Sequence, residues 1–204
     1  MENFPMKTFL KSAFLSFVLF FCSSHFAFAH INPADHSSFS SGFFHPLTGA
    51  DHILVMVAVG LWAAQLGGNA LWAVPLAFVV AMGAGFIMAL GGISLPFVEP
   101  AILASVIAIG LLAAVALHLP TGIAMAVVAV FAVFHGHAHG SEFSGMGAVS
   151  YGVGFAVATA LLHMLGIAIG LGGGLLPGRA GRYRVTRIGG MLTACAGLYL
   201  AFVA

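Results

Sequence analysis

The sequence predicts an all-α membrane protein, a polytopic bundle of six transmembrane helices behind a cleaved signal peptide. Three observations carry that prediction. Only 5% of the 204 residues are charged and 61% are hydrophobic, against roughly 25% and 45–50% in soluble domains. Apolar stretches near the ~20 residues needed to cross a bilayer recur along the chain. The arginines, Arg179, Arg182, Arg184 and Arg187, all fall in one short segment. Six basic and five acidic residues are too few for a water-facing surface. A soluble enzyme, a disordered chain and a nucleic-acid binder are therefore excluded.

Residues 1–29 read as a secretory signal peptide. Lys7 and Lys11 form its basic start, Ala13–Cys22 its apolar run, and Ala27-Phe28-Ala29 its small-x-small cleavage site. The alternative is an uncleaved first helix, but the apolar run is short and ends in Ser23-Ser24-His25. A lipoprotein signal fits poorly, since bulky Phe20-Phe21 precede Cys22. Cleavage leaves Cys195 without a disulfide partner in the chain, in an apolar run that suits packing.

Residues 30–43, rich in Ser, Asn, Asp and His, form a polar leader on the trans side. The six spans of the remaining domain, 44–204, fall at 44–66, 70–91, 97–118, 121–138, 147–173 and 185–203. Turn chemistry separates them: Gly67-Gly68-Asn69, Gly91-Gly92 with Pro96, Leu119-Pro120, Gly140-Ser141 and Pro177-Gly178. Gly166, Gly170, Gly174 and the pair Gly83/Gly85 supply small faces for close helix approach. A cleaved signal and six crossings put the connection between spans 5 and 6 in the cytoplasm. That connection carries the four arginines, as the positive-inside rule requires. Both mature termini are then periplasmic.

Polar residues within the spans are the candidate functional set, because ionisable groups in a bilayer are costly and functional by default. Span 1 opens with His45-Pro46-Leu47-Thr48-Gly49-Ala50-Asp51-His52, followed by Met56. On one continuous helix, His45, His52 and Met56 lie within about 20° of a common line. Asp51 points about a third of a turn away, toward a histidine of a neighbouring helix or into a ligand position of its own. Imidazole, carboxylate and thioether together suit a borderline divalent transition metal. The plainer reading is polar glue between helices, with Met56 as core.

Span 4 closes with Phe134-His135-Gly136-His137-Ala138-His139-Gly140-Ser141-Glu142. A persisting helix aligns His135, His139 and Glu142 on one face, whereas Gly136 and Gly140 favour an unwound end. Three histidines and a carboxylate in eight residues point to metal; the alternative is a solvated loop. The topology brings both motifs to the outer half of the membrane. Glu99 at the start of span 3 and His30, Asp35 and His36 of the leader face the same compartment, as candidates for external metal capture. His163, inside span 5, is either a deeper step of a metal path or a structural histidine. His118 ends span 3 as an interfacial residue.

These residues resemble the HupE/UreJ family of nickel permeases. The likeness rests on His45-Pro46, Gly49, Asp51-His52, Met56 and Val59-Gly60, and on the block from Phe134 to Glu142. It covers essentially the whole mature chain. A looser likeness links the Asp-His pair to the larger nickel/cobalt transporter family, whose spacing is one residue shorter. The resemblance implies Ni2+ uptake across the bacterial cytoplasmic membrane, supplying hydrogenase or urease. No permanently bound cofactor is expected, since the metal is cargo. Imidazole and carboxylate ligands by themselves also take Co2+, Zn2+ and Cu2+.

The chain carries no phosphate-binding glycine loop, so ATP-driven transport is not expected. Two other classes compete with a permease. An intramembrane metalloenzyme built on the same histidines needs a closed first shell with one open water position, and Glu142 as its base. A haem carrier needs histidines on two spans, which clustering at one membrane face disfavours.

Overall fold

The computed structural model describes residues 38–143, 146–173 and 181–203, with the side chain of Arg182 outside that set. The signal segment 1–29, His30, Asp35, His36, Gly174 and Arg179 thus lie outside the described residues. All described residues belong to the unit Pro33–Ala204. Among them, the secondary structure is helical throughout.

The first element, α1 (Phe39–Phe44), falls largely within the stretch read as a leader. Ser38 caps it: its hydroxyl accepts from the Ser41 amide at 3.1 Å, and the Ser41 hydroxyl accepts from the Ser38 amide at 3.3 Å. A 3-10 turn, His45–Leu47, follows with Pro46 in its first turn, where a missing amide proton costs nothing. The chain then bends by 82° before α2 (Ala50–Leu66). This corrects the expectation of one continuous helix over 44–66. Thr48 closes the turn by donating from its hydroxyl to the His45 carbonyl at 2.7 Å, and Gly49 caps α2 in extended geometry.

Next come α3 (Ala70–Leu90), α4 (Val98–Ala114), α5 (Thr121–Glu142), α6 (Ala148–Gly172) and α7 (Gly181–Val203). They occupy the stretches expected for spans 2 to 6. The helices Ala70–Leu90, Thr121–Glu142, Ala148–Gly172 and Tyr183–Val203 are long and apolar enough to cross a membrane. The bent pair Phe39–Leu47 and Ala50–Leu66 makes a fifth such span if taken as one, while α4 is shorter. Its 17 residues reach only about 25 Å at 1.5 Å each. It stops before the expected residue 118 because Ala116 turns left-handed, with φ 57°. The amides of Ala116 and Leu117 then fold back onto the carbonyls of Ala113 and Leu112, satisfying the helix end.

At the centre is α2, whose Val55, Met56, Ala58, Val59, Trp62 and Ala63 are all fully buried. A helix apolar on every side belongs inside a bundle. It packs on α6, while α3 packs on α5 and α4 on α7. Each pairing uses small residues. Gly136 of α5 lies against the Met82 backbone, Gly60 of α2 meets Gly166 of α6, and Gly110 of α4 meets Gly190 of α7. Without a hydrophobic drive between helices in lipid, such close approach supplies the cohesion. Of the glycines expected to play this part, Gly85, Gly166 and Gly170 do so, whereas Gly83 faces open space. Leu76, Val80 and Ile87 of α3, by contrast, are more than 60% exposed, an apolar outer face suited to lipid.

Candidate metal centre

The site forms where the His45 turn, the start of α2 and the end of α5 converge. The helix α5 persists through Gly136 and Gly140 to Glu142, so His135, His139 and Glu142 share a face. Both glycines sit against α3, where a Cβ would collide with the backbone at Met82 and Phe86. Their helix-weakening tendency is thus offset by packing that only glycine permits.

Outermost are His45, His139 and Glu142, each offering a ligand atom within 4.8 Å of the others. Glu142 Oε2 stands 3.9 Å from His45 Nε2 and 3.9 Å from His139 Nδ1. The Glu142 side chain is 62% exposed and that of His139 only 3%, so the group spans the boundary between surface and interior. Together with Phe143 and Tyr151 these residues line a cleft of about 20 Å³, room for one water-sized sphere. Two bonds of about 2.1 Å to one ion place their ligand atoms about 3 to 4 Å apart, and the 3.9 Å separations fit that range.

From there a file of imidazoles runs inward. His45 and His139 have ring centroids 4.6 Å apart, His139 and His52 4.7 Å, and His52 and His135 5.2 Å. Between His52 and His139 the two Nε2 atoms approach to 2.6 Å. Asp51 sets the polarity of that contact. Its Oδ1 accepts from His52 Nδ1–H at 2.9 Å, which leaves the His52 Nε2 lone pair to accept from His139 Nε2–H. A carboxylate behind an imidazole is the usual support for a metal-binding histidine. Asp51 therefore bonds its own chain neighbour, not a histidine of another helix. Gly49 makes room for the pair: a Cβ there would lie 2.8 Å from both Asp51 Oδ1 and His52 Nδ1.

Past His52, His135 is fully buried, its Nε2 2.9 Å from Ser105 Oγ of α4. Phe78 of α3 packs on both His135 and His163 of α6, at 5.7 and 5.1 Å between centroids. His163 is 1% exposed, and neither of its ring nitrogens has a hydrogen-bond partner among the described residues.

Other candidates lie elsewhere. His137 projects away from the file and donates from Nε2 to the Ile93 carbonyl at 2.7 Å, tethering the α3–α4 loop. Met56 sits in the apolar core with Val55, Val59 and Phe155. Glu99 is exposed in the first turn of α4, where a carboxylate suits the helix end. Arg184 is exposed on α7, while Arg187 donates from Nε to the Ala114 carbonyl at 2.9 Å, capping α4. Sequence reasoning missed Ser105, Phe78, Tyr151 and Phe155, whose ring lies 4.3 Å from that of His139. Of these, Ser105 carried a usable signal, a lone hydroxyl within an apolar span.

The chain matches the family model described as HupE / UreJ protein over residues 18–200. It is also 47% identical over 161 residues to Protein HupE of Rhizobium leguminosarum bv. viciae, covering 78% of this chain and 82% of that relative. No solved structure matches it. With nearly the whole length matched and two polar motifs gathered at one site, the chain belongs to the HupE/UreJ family.

Proposed function

We propose that this protein is a permease, not an enzyme, and that it takes up Ni2+ across the cytoplasmic membrane without ATP. The observation that carries the reading is the file of imidazoles from part-exposed His45 to buried His135, with buried His163 across the Phe78 ring. Glu142 and His45 collect the ion, and His139 and His52 exchange ligands for its waters. His135 and His163 then take it inward past Phe78. Several partial sites let an ion enter and also leave, which one closed cage does not. The membrane potential supplies about 2.3 kcal/mol per charge per 100 mV, hence roughly 4.6 for a divalent ion. Family membership supports nickel as cargo and hydrogenase or urease as the enzymes supplied.

The reading includes six crossings behind a cleaved signal at 1–29, with the leader and both mature termini in the periplasm. The arginine segment is cytoplasmic, and His30, Asp35 and His36 meet the metal first. In a variant lacking native cysteines, a cysteine at Ser94, in the exposed α3–α4 loop, should label with an impermeant thiol reagent added outside intact cells. One at exposed Tyr183 should label only after lysis. The opposite pattern would invert the topology.

Uptake of radiolabelled Ni2+ by cells producing the protein, with Co2+ and Zn2+ as competitors, tests the function. Accumulation no higher than in control cells, with the protein in the membrane, overturns it. Asp51→Asn should slow uptake by about 10- to 100-fold, the usual effect of losing a supporting carboxylate. Unchanged uptake would remove Asp51 from the mechanism.

A further inference from the structure

Ser105 offers the one hydroxyl within α4 and is fully buried. Its oxygen makes two short contacts, 2.5 Å to the Ile102 carbonyl and 2.9 Å to His135 Nε2. A carbonyl only accepts, so the single hydroxyl proton is committed to Ile102. The second contact must then be donated by the imidazole. His135 is accordingly the tautomer protonated at Nε2, with its lone pair on Nδ1. That Nδ1 is buried and has no hydrogen-bond partner among the described residues, as is true of His137 Nδ1. What sets His135 apart is that its ring stands in the file, 5.2 Å from that of His52.

We propose that Ser105 is a positioning residue that fixes the tautomer of His135 and so presents Nδ1 as a ligand atom to the passing divalent metal. The inference rests on the permease reading above and adds to it a residue from α4, a helix that reading does not use. Ser105 does for His135 what Asp51 does for His52: each occupies one ring nitrogen and leaves the other with its lone pair. The difference lies in charge. A carboxylate strengthens His52 as a ligand, whereas a neutral hydroxyl leaves His135 weaker. A weaker inner ligand suits an ion that has to move on. With alanine at position 105 the His135 Nε2–H loses its acceptor, and the two neutral tautomers become comparable in energy.

The test uses the full chain in lipid nanodiscs, with ring-nitrogen-labelled histidine observed by magnetic resonance and Ni2+ affinity measured by titration calorimetry. Loss of one resonance pair in His135→Gln assigns the His135 signals. In the metal-free wild type, His135 should show one tautomer, protonated at Nε2. Ser105→Ala should populate both tautomers and weaken Ni2+ binding by about 10- to 100-fold, and Ser105→Thr should restore both readouts. His137, bonded to the Ile93 carbonyl, reports folding and should keep its signal throughout. A His135 signal unchanged in Ser105→Ala overturns the assignment, as does an affinity loss that Ser105→Thr fails to repair. A wild type that binds no Ni2+ while its tautomer still responds to Ser105→Ala overturns the permease reading, and upholds the control of His135 by Ser105.

Discussion

Replacing His139 with alanine is expected to abolish Ni2+ uptake, lowering the rate by more than the ~100-fold limit for a merely supporting residue. The reason is its double membership. It faces Glu142 and His45 on the outer side and hydrogen-bonds His52 on the inner side. Alanine therefore removes a ligand from the entry group and the partner of the next imidazole in one step. The protein should still reach the membrane, as an immunoblot of the membrane fraction would show. His137→Ala is the comparison: it cuts a tether to Ile93 outside the file, and should cost stability before transport. Transport lost in His137→Ala and kept in His139→Ala would show that the ion takes another route.

The largest structural effect is expected at Gly136. A Cβ there would meet the Met82 carbonyl at a separation that real side chains do not adopt, in the pairing of α3 with α5. Gly136→Ala must push those helices apart or distort one of them, at a cost of about 1–3 kcal/mol or more. A lower thermal midpoint in detergent and a lower yield from membranes would register it. Gly83→Ala, with nothing within 4 Å of the added atom, should change stability by no more than about 0.5 kcal/mol. Equal behaviour of the two variants would mean that α3 and α5 do not pack through this glycine. Because Gly136 lies between His135 and His137, uptake should fall with stability.

The helices were legible because length and apolarity alone mark a membrane span. Expected limits of 70–91 and 147–173 became Ala70–Leu90 and Ala148–Gly172. Less legible was everything that depends on a helix being interrupted or held. His45, His52 and Met56 align only if the chain runs straight, yet it bends by 82° ahead of α2. His45 still comes to 6.5 Å from His52, centroid to centroid, by folding back from a separate turn. Conversely, Gly136 and Gly140 look like breakers until the neighbouring backbone that needs them is known. Asp51 and His52, adjacent on a helix, ordinarily diverge. They meet here at a first turn preceded by a residue without a Cβ. Ser105 and Phe78 have no periodic signal at all, since each acts on a residue distant in sequence.

The bend between the His45 turn and α2 has an electrostatic consequence. It brings the N-terminal end of α2, equivalent to about half a positive charge, beside the site proposed to take a dication. From the other side α5 ends at Glu142, contributing the opposite partial charge of a helix C-terminus. Asp51, in the first turn of α2, lies where it cancels the unfavourable pole. Its carboxylate therefore both orients His52 and, on the proposed function, would shield a passing cation from the start of the helix carrying it. Asparagine keeps a hydrogen-bond acceptor at that position but leaves the pole uncovered.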